Sequence, residues 1–276
     1  MVVFPVTDGA MSSSGLKTIN FQIMTKDNKE QKLSDSTNTA IAYSTCYPQF
    51  FSGDIQIYNG NNIEVLQSLN LDLSKCIFVS DPPFNIGYHY DQYNDKMNED
   101  DYYNWLADIF GTNKQVIIHY PEYLYKHAFN VGLFPEKVVS WVYNSNTGKQ
   151  HRDIAFFGVK PDFRKVGQDY KNPTDKRIAK RIADGKTARL YDWWEINQVK
   201  NVSAEKTAHP CQMPLKVMGN IIGILPDDYL IIDPFLGSGT TALACQKYNR
   251  KFIGIELDPK YFEIAKQRIF NAQGLF

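Results

Sequence analysis

Tyr229-Leu230-Ile231-Ile232-Asp233-Pro234-Phe235-Leu236-Gly237-Ser238-Gly239-Thr240-Thr241 runs from an apolar strand, through a turn with two glycines, into the start of a helix. A strand-turn-helix unit of this kind is the building block of an open α/β sheet, in which ligands bind beyond the carboxyl ends of the strands. Gly237 and Gly239 permit a tight turn and close backbone approach, and the helix N-terminus with the Thr240 and Thr241 hydroxyls offers donors to an anion. A phosphate and the carboxylate of an amino-acid-like cofactor both fit that description. A Walker loop does not, because the Lys and the spacing are missing. Ala242 stands where a dinucleotide fingerprint has its third glycine, an allowed variant. Glu256, about 20 residues on at the end of Phe252-Ile253-Gly254-Ile255, is placed to accept both hydroxyls of a ribose. The loop by itself leaves NAD and S-adenosylmethionine open.

Working outward, short apolar runs alternate with amphipathic stretches from residue 54 onward. Strands are expected at Ile55–Tyr58, Cys76–Ser80, Gln115–His119, Lys137–Tyr143, Ile154–Val159, Tyr229–Ile232 and Lys251–Ile255. Helices are expected near Ile63–Leu69, Asp100–Phe110, Glu122–Asn130, Leu215–Leu225, Thr241–Tyr248 and Lys260–Phe270, two of them led by Pro121 and Pro259 at the first helical position. The alternation predicts an α/β fold with a doubly wound, mostly parallel sheet. Residues 1–50 are polar and weakly periodic, with a candidate hairpin from Thr18 to Leu33.

Asp81-Pro82-Pro83-Phe84 directly follows the run Cys76–Ser80, which puts it on the same ligand-binding rim. Two prolines remove two backbone donors and stiffen the turn, so its carbonyls are left as acceptors. The Asp81 carboxylate and the Pro82 carbonyl make a pair of acceptors suited to an NH₂ group, which has two protons to give. An exocyclic amine of adenine or cytosine is a poor nucleophile because its lone pair is delocalised into the ring. Holding both N–H groups favours a tetrahedral nitrogen able to attack a methyl group, and Phe84 offers a flat face for stacking the base. Hydride transfer has no use for such a loop. Amine methylation needs both loops, which favours S-adenosylmethionine.

The total charge, 30 basic against 30 acidic residues in 276, excludes nothing. Its distribution is more telling. Between residues 163 and 189 the chain carries Arg164, Lys165, Lys171, Lys176, Arg177, Lys180, Arg181, Lys186 and Arg189 against Asp169, Asp175 and Asp184. This segment interrupts the alternation and predicts a phosphate-binding surface, with a solvated helical face as the plain alternative. Tyr191, Trp193 and Trp194 follow it as an aromatic cluster, and the two tryptophans are expected to pack the insertion on the sheet. The four cysteines are scattered without metal-ligand spacing, so no metal site is expected, and no run approaches the length of a membrane span. A soluble protein of the cytoplasm is expected.

These pieces, in this order, resemble the beta-ordered class of DNA amino-methyltransferases. The resemblance covers residues 54–270. It rests on Ile57-Tyr58-Asn59-Gly60 with the helix after it, on Asp81–Phe84, on His209-Pro210-Cys211-Gln212-Met213-Pro214-Leu215, and on the stretches from Asp233 to Thr241 and from Phe252 to Tyr261. It implies a Rossmann-like, seven-stranded sheet with a target-recognition insertion, S-adenosylmethionine as methyl donor, and a flipped base in double-stranded DNA. It implies further that Asp81, Pro82, Pro83 and Phe84 hold the amine and base, and that Glu256 binds the ribose. Asp233, Phe235, Gly237, Ser238, Gly239, Thr240 and Thr241 then form the rest of the cofactor site. D-P-P-F goes mostly with N6 of adenine in this class, with N4 of cytosine as the alternative. Two positions depart from the pattern. Asn61 replaces an Asp that receives the cofactor's adenine amine, and Met213 replaces a Lys, leaving His209 and Thr240 nearest the cofactor carboxylate. A weakly active DNA- and cofactor-binding subunit is the rival reading. The expected organisation is an extension (1–50), a catalytic half (51–160), a recognition insertion (161–207) and a cofactor half (208–276). A homodimer and a separate restriction endonuclease are the candidate partners.

Overall fold

Five-residue runs such as Cys76–Ser80 and Gln115–His119 are buried at every position, which an amphipathic strand cannot be; they belong inside a sheet covered on both faces. The computed structural model describes residues 47–88, 93 and 95–275. The Thr18–Leu33 hairpin lies outside them.

The strands are β1 (Gln49–Ser52), β2 (Ile55–Asn59), β3 (Cys76–Ser80), β4 (Gln115–His119), β5 (Pro135–Val142), β6 (His151–Phe157), β7 (Gly167–Gln168), β8 (Ala188–Arg189), β9 (Trp193–Glu195), β10 (Leu230–Asp233) and β11 (Phe252–Glu256). The helices are α1 (Asn62–Ser68), α2 (Glu99–Phe110), α3 (Pro121–Val131), α4 (Lys176–Ala183), α5 (Leu215–Ile224), α6 (Thr240–Lys247) and α7 (Pro259–Asn271). One sheet has the order β1-β2-β11-β10-β3-β4-β6-β5-β9. The seven strands expected from the sequence form its uninterrupted middle. The structure adds β1 antiparallel to β2 at one edge and β9 parallel to β5 at the other. Pairing is parallel from β2 across to β4 and antiparallel where β6 meets β4 and β5.

Alternate residues of each strand enter different cores. Ile77, Val79, Val116, Ile118, Ile154 and Phe156 pack with α5, α6 and α7. Phe78, Ile117, Ala155 and Phe157 pack with Val65 of α1, Leu106 of α2 and Leu124 of α3. The chain leaves β3 through α2 toward β4 in one direction, and leaves β10 through α6 toward β11 in the other. Neighbouring β3 and β10 therefore mark the switch point, where an open α/β sheet forms its ligand crevice.

The insertion is less regular. β7 and β8 form a two-stranded ribbon, and α4, capped by the Asp175 side chain, buries no residue. The aromatic expectation holds for one tryptophan only. Trp194 is buried and donates its indole N–H to the Tyr191 carbonyl, whereas Trp193 is exposed, with the Lys171 ammonium 4.0 Å over its ring.

Candidate active site

The switch point brings the two sequence motifs together. Ser80, the last residue of β3, donates its hydroxyl to Asp233 Oδ1 of β10 at 2.9 Å, across 153 positions of sequence. Residues 81–84 and every nominated cofactor residue except Gly239 line one cleft of about 370 Å³. The basic residues of the insertion lie outside it.

The catalytic loop is held from behind. The Tyr120 amide donates to His119 Nδ1 at 2.8 Å, which leaves the proton on Nε2 to meet the Tyr102 oxygen at 3.1 Å. Tyr102 in turn donates to the Pro83 carbonyl at 2.6 Å. That relay fixes the second proline, so the carbonyl assigned to the amine is the other one, that of Pro82. Beyond Phe84, the buried Asp95 carboxylate accepts the backbone N–H groups of Asn85, Ile86 and Tyr88 and clasps the turn. Asp81 itself is different. Its Oδ2 meets Arg152 Nη1 at a long 3.5 Å, and its Oδ1 is buried with no hydrogen-bond partner among the described residues. Burial pushes its carboxyl up to about 6, with Arg152 opposing and Asp233 adding to the rise.

Phe84 does not present the open face expected of it. Its ring stacks on His119 at 4.1 Å between centroids, and the Arg152 guanidinium lies 4.5 Å over it.

The cofactor loop is built from inside. Asp233 accepts from Ser80, from the Phe235 amide at 3.1 Å and from the Thr241 hydroxyl at 2.6 Å. Both Asp233 and Thr241 therefore brace the turn, and the Thr241 proton is committed to Asp233. Gly237 and Gly239 have φ of +54° and +79°, and a Cβ on Gly239 would stand 3.0 Å from that of Ala265. Glu256 takes the Gly237 amide on one oxygen and the Asp258 amide on the other, at 2.8 and 2.9 Å. Each oxygen keeps a lone pair for a ribose hydroxyl. Burial raises its carboxyl to about 7.

The structure redistributes three assignments. The Asn61 carbonyl accepts two amides as the N-cap of α1, while buried Asn62 reaches the Pro234 carbonyl. His209 packs edge-on against Tyr261, and burial brings its imidazole down to about 4, so it contributes no positive charge at neutral pH. The cation behind the loop is Arg268 of α7, which donates to the Ser238 carbonyl, the Ser238 hydroxyl and the Thr240 hydroxyl. Neither Arg152 nor Arg268 was visible as a site residue in sequence. Arg152 lies before the strand expected at Ile154–Val159, and only the structure extends that strand to include it. Within the insertion, Lys165 is tied to Asp227 and the Leu225 carbonyl, and Arg164 forks onto Asp162. Lys171, Lys176, Arg177, Lys180, Arg181 and Arg189 are exposed.

The surroundings of the cleft suit an S-adenosylmethionine molecule: a Gly turn whose Cβ positions are already filled by neighbours, an acidic ribose ligand, and a helix N-terminus backed by an arginine. Comparison with known proteins agrees. The DNA methylase family model for N6 and N4 amino-methyltransferases matches residues 76–267. The chain is 26% identical over 235 residues to the Type II methyltransferase M.HpaI of Haemophilus parainfluenzae, covering 78% of this chain and 74% of that protein. It is 26% identical over 258 residues to the DNA adenine methyltransferase YhdJ of Escherichia coli, covering 81% and 86%. Among solved structures, the M1.HpyAVI complex with S-adenosylmethionine superposes with a TM-score of 0.51 at 22% identity, over 78% of this chain and 99% of that one. The cytosine-N4-specific PvuII DNA methyltransferase does so with 0.56 at 18% identity, over 79% and 90%. These two show the fold. With a family match running from β3 to α7 across both loops, this chain belongs to the S-adenosylmethionine-dependent DNA amino-methyltransferases.

Proposed function

We propose that this chain methylates N6 of adenine in double-stranded DNA, drawing the base out of the duplex to do so. The observation that carries the reading is the Asp81 Oδ1 atom, buried at the switch point without a hydrogen-bond partner among the described residues, one residue from the Pro82 carbonyl. With its carboxyl near 6, Asp81 is mostly ionised at pH 7.5 and acts as an acceptor toward an amine N–H. The D-P-P-F sequence and the adenine specificity named for the Escherichia coli relative favour adenine over cytosine.

S-adenosylmethionine, when bound, supplies an electrophilic methyl group. The protein's own residues do the rest. Glu256 takes the ribose hydroxyls, and the 237–241 turn with Arg268 behind it faces the carboxylate end. Asp81 and the Pro82 carbonyl orient the amine so that its lone pair points along the line of attack, and the main contribution is positioning. Base flipping costs a few kcal/mol, which phosphate contacts and stacking offset. Lys171, Lys176, Arg177, Lys180, Arg181 and Arg189 are the candidate phosphate ligands. The protein would work in the cytoplasm, beside a separate restriction endonuclease as the Type II names of its relatives suggest.

Incubating the full chain with labelled cofactor and genomic DNA, then separating the nucleosides, tests the assignment. N6-methyladenine is expected, and label in N4-methylcytosine alone would overturn the choice of base. Asp81→Ala should cut turnover by more than about a hundredfold while cofactor affinity changes by less than about threefold. Retained turnover would remove Asp81 from the site. Neutralising Lys176, Arg177, Lys180 and Arg181 together should flatten the salt dependence of DNA binding by roughly 0.9 per lost phosphate contact. An unchanged slope would make α4 a solvated surface and nothing more.

A further inference from the structure

Arg152 stands in the way of the substrate. The β4–β6 register sets His119 opposite Asp153, so His119 projects to the same face of the sheet as Ile117, toward α1–α3. Arg152, one residue before Asp153, projects to the opposite face, and the β5–β6 register sets it beside Trp141. Phe84 lies between them at the rim, with His119 at 4.1 Å and the Arg152 guanidinium at 4.5 Å. Both faces of the ring are therefore covered.

The two covers are not equivalent. His119 is 2% exposed, stacked on its other side by Tyr123 at 4.5 Å and bonded to Tyr102 and the Tyr120 amide. It cannot leave without undoing the relay to Pro83. Arg152 is held by a long ion pair to Asp81, a hydrogen bond to the Tyr143 hydroxyl, a 3.7 Å contact to Met213 Sδ, and aromatic faces at 5.4 to 6.0 Å from Trp141, Tyr120 and Tyr143. Its Nε is buried with no hydrogen-bond partner among the described residues. One cover is fixed, and the other is a side chain on a flexible stem.

What Arg152 offers to this box is also what an amino-bearing base offers: a flat group, stacked on Phe84, with N–H donors turned to Asp81. We propose that the Arg152 guanidinium occupies the target-base position in the DNA-free protein and gives it up to the extruded base. The inference rests on the assignment of Asp81 and Phe84 as the amine and base ligands. It explains why Asp81 tolerates burial without a base, because a cation stands where the amine will stand. It also explains Met213, since a Lys in that position would put its ammonium against the guanidinium. Once displaced, Arg152 leaves a carboxylate and needs another anion, which the phosphates of an extruded nucleotide provide.

Two flat donors that compete for one site can be separated with free adenine as the probe. In saturation-transfer NMR on the full chain, Arg152→Ala should bind adenine at least about tenfold more tightly than wild type, which is a gain of about 1.4 kcal/mol. Adding Asp81→Ala should remove that gain. Equal adenine binding by wild type and Arg152→Ala would overturn the proposal. So would a loss of about tenfold or more in S-adenosylmethionine affinity, which would make Arg152 a cofactor ligand in place of the missing Lys. Should Arg152→Ala lose its cooperative melting transition, Arg152→Met keeps an unbranched stem without the flat donors, and the same gain is required of it. The failures are distinguishable. If Asp81→Ala is inactive but Arg152→Ala gains no adenine, only the stand-in is wrong; if Asp81→Ala still methylates, the amine site itself is misplaced.

Discussion

Asp81 and Asp233 invite comparison because the sequence treats them alike. Each ends or follows a buried parallel strand, each precedes a proline, and the two strands are neighbours. Burial lifts both carboxyls to about 6. Their surroundings differ in one respect. Asp233 has its oxygens filled by Ser80, the Phe235 amide and the Thr241 hydroxyl, whereas among the described residues Asp81 meets a distant arginine and has one oxygen with no partner. A buried polar atom left unsatisfied in a native structure needs an explanation, and the amine substrate proposed above supplies one. A raised pKa alone does not identify a functional carboxylate. What separates Asp81 from Asp233 is an oxygen without a partner among the described residues, next to the Pro82 carbonyl.

The comparison breaks if the two residues respond alike to truncation. The largest effect expected is the turnover loss of Asp81→Ala, more than about a hundredfold, or about 2.7 kcal/mol of transition-state stabilisation, with the urea midpoint not lowered. Asp233→Ala should behave in the opposite sense. It strands two buried hydroxyls and a half-buried amide, each worth about 1 kcal/mol or more when unpaired, so a loss of roughly 2 to 4 kcal/mol in unfolding free energy is expected, with cofactor binding lost as the turn opens. Equal destabilisation by both would mean that Asp81 is a second brace.

The same distinction marks what could be read from the sequence. The seven central strands and the two loops were legible because burial on both faces forces unbroken apolar runs, and because Gly237 and Gly239 punctuate the turn. β9 was not, since three residues carry no periodicity; it exists because Trp193–Glu195 pairs with a strand from elsewhere in the chain. Arg152 and Arg268 were hidden for a related reason. Each acts through a contact more than 25 positions away in sequence, Arg152 onto Asp81 and Phe84, and Arg268 onto Ser238. Asn61 lines the cleft and also caps α1 through its carbonyl, a second use that the sequence does not reveal because a polar residue before a helix serves equally as cap and as ligand. In the basic segment the charges were legible but their employment was not: Lys165 and Arg164 are spent on acids of the protein itself.

A finer discrimination comes from pH. Asp81 and Asp233 have folded-state pKa values near 6, above the ordinary value of about 3.9, so between those limits the folded protein holds more protons than the unfolded chain. Each carboxylate therefore removes stability as pH rises from about 4 to about 6, by an amount on the order of 1 to 3 kcal/mol, and the penalty stays in full above that. Glu256, at about 7, acts in the same direction over a window that extends higher. Buried His119, His127 and His209, with lowered pKa values, act oppositely, adding stability as pH rises through the same range. The wild-type curve is thus a sum of opposed terms, and the informative quantity is the difference between a variant and wild type. For Asp81→Asn that difference should grow in the variant's favour between pH 4 and pH 7, because the neutral amide never has to be charged in a dry site and loses only a long ion pair to Arg152. For Asp233→Asn the same relief is offset, because an amide offers one acceptor oxygen where three donors converge. Urea unfolding of both variants at the two pH values checks this. A difference at Asp81 that stays flat with pH would show that its carboxyl is not raised in the folded protein, and the contrast between the two aspartates would then rest on hydrogen bonding alone.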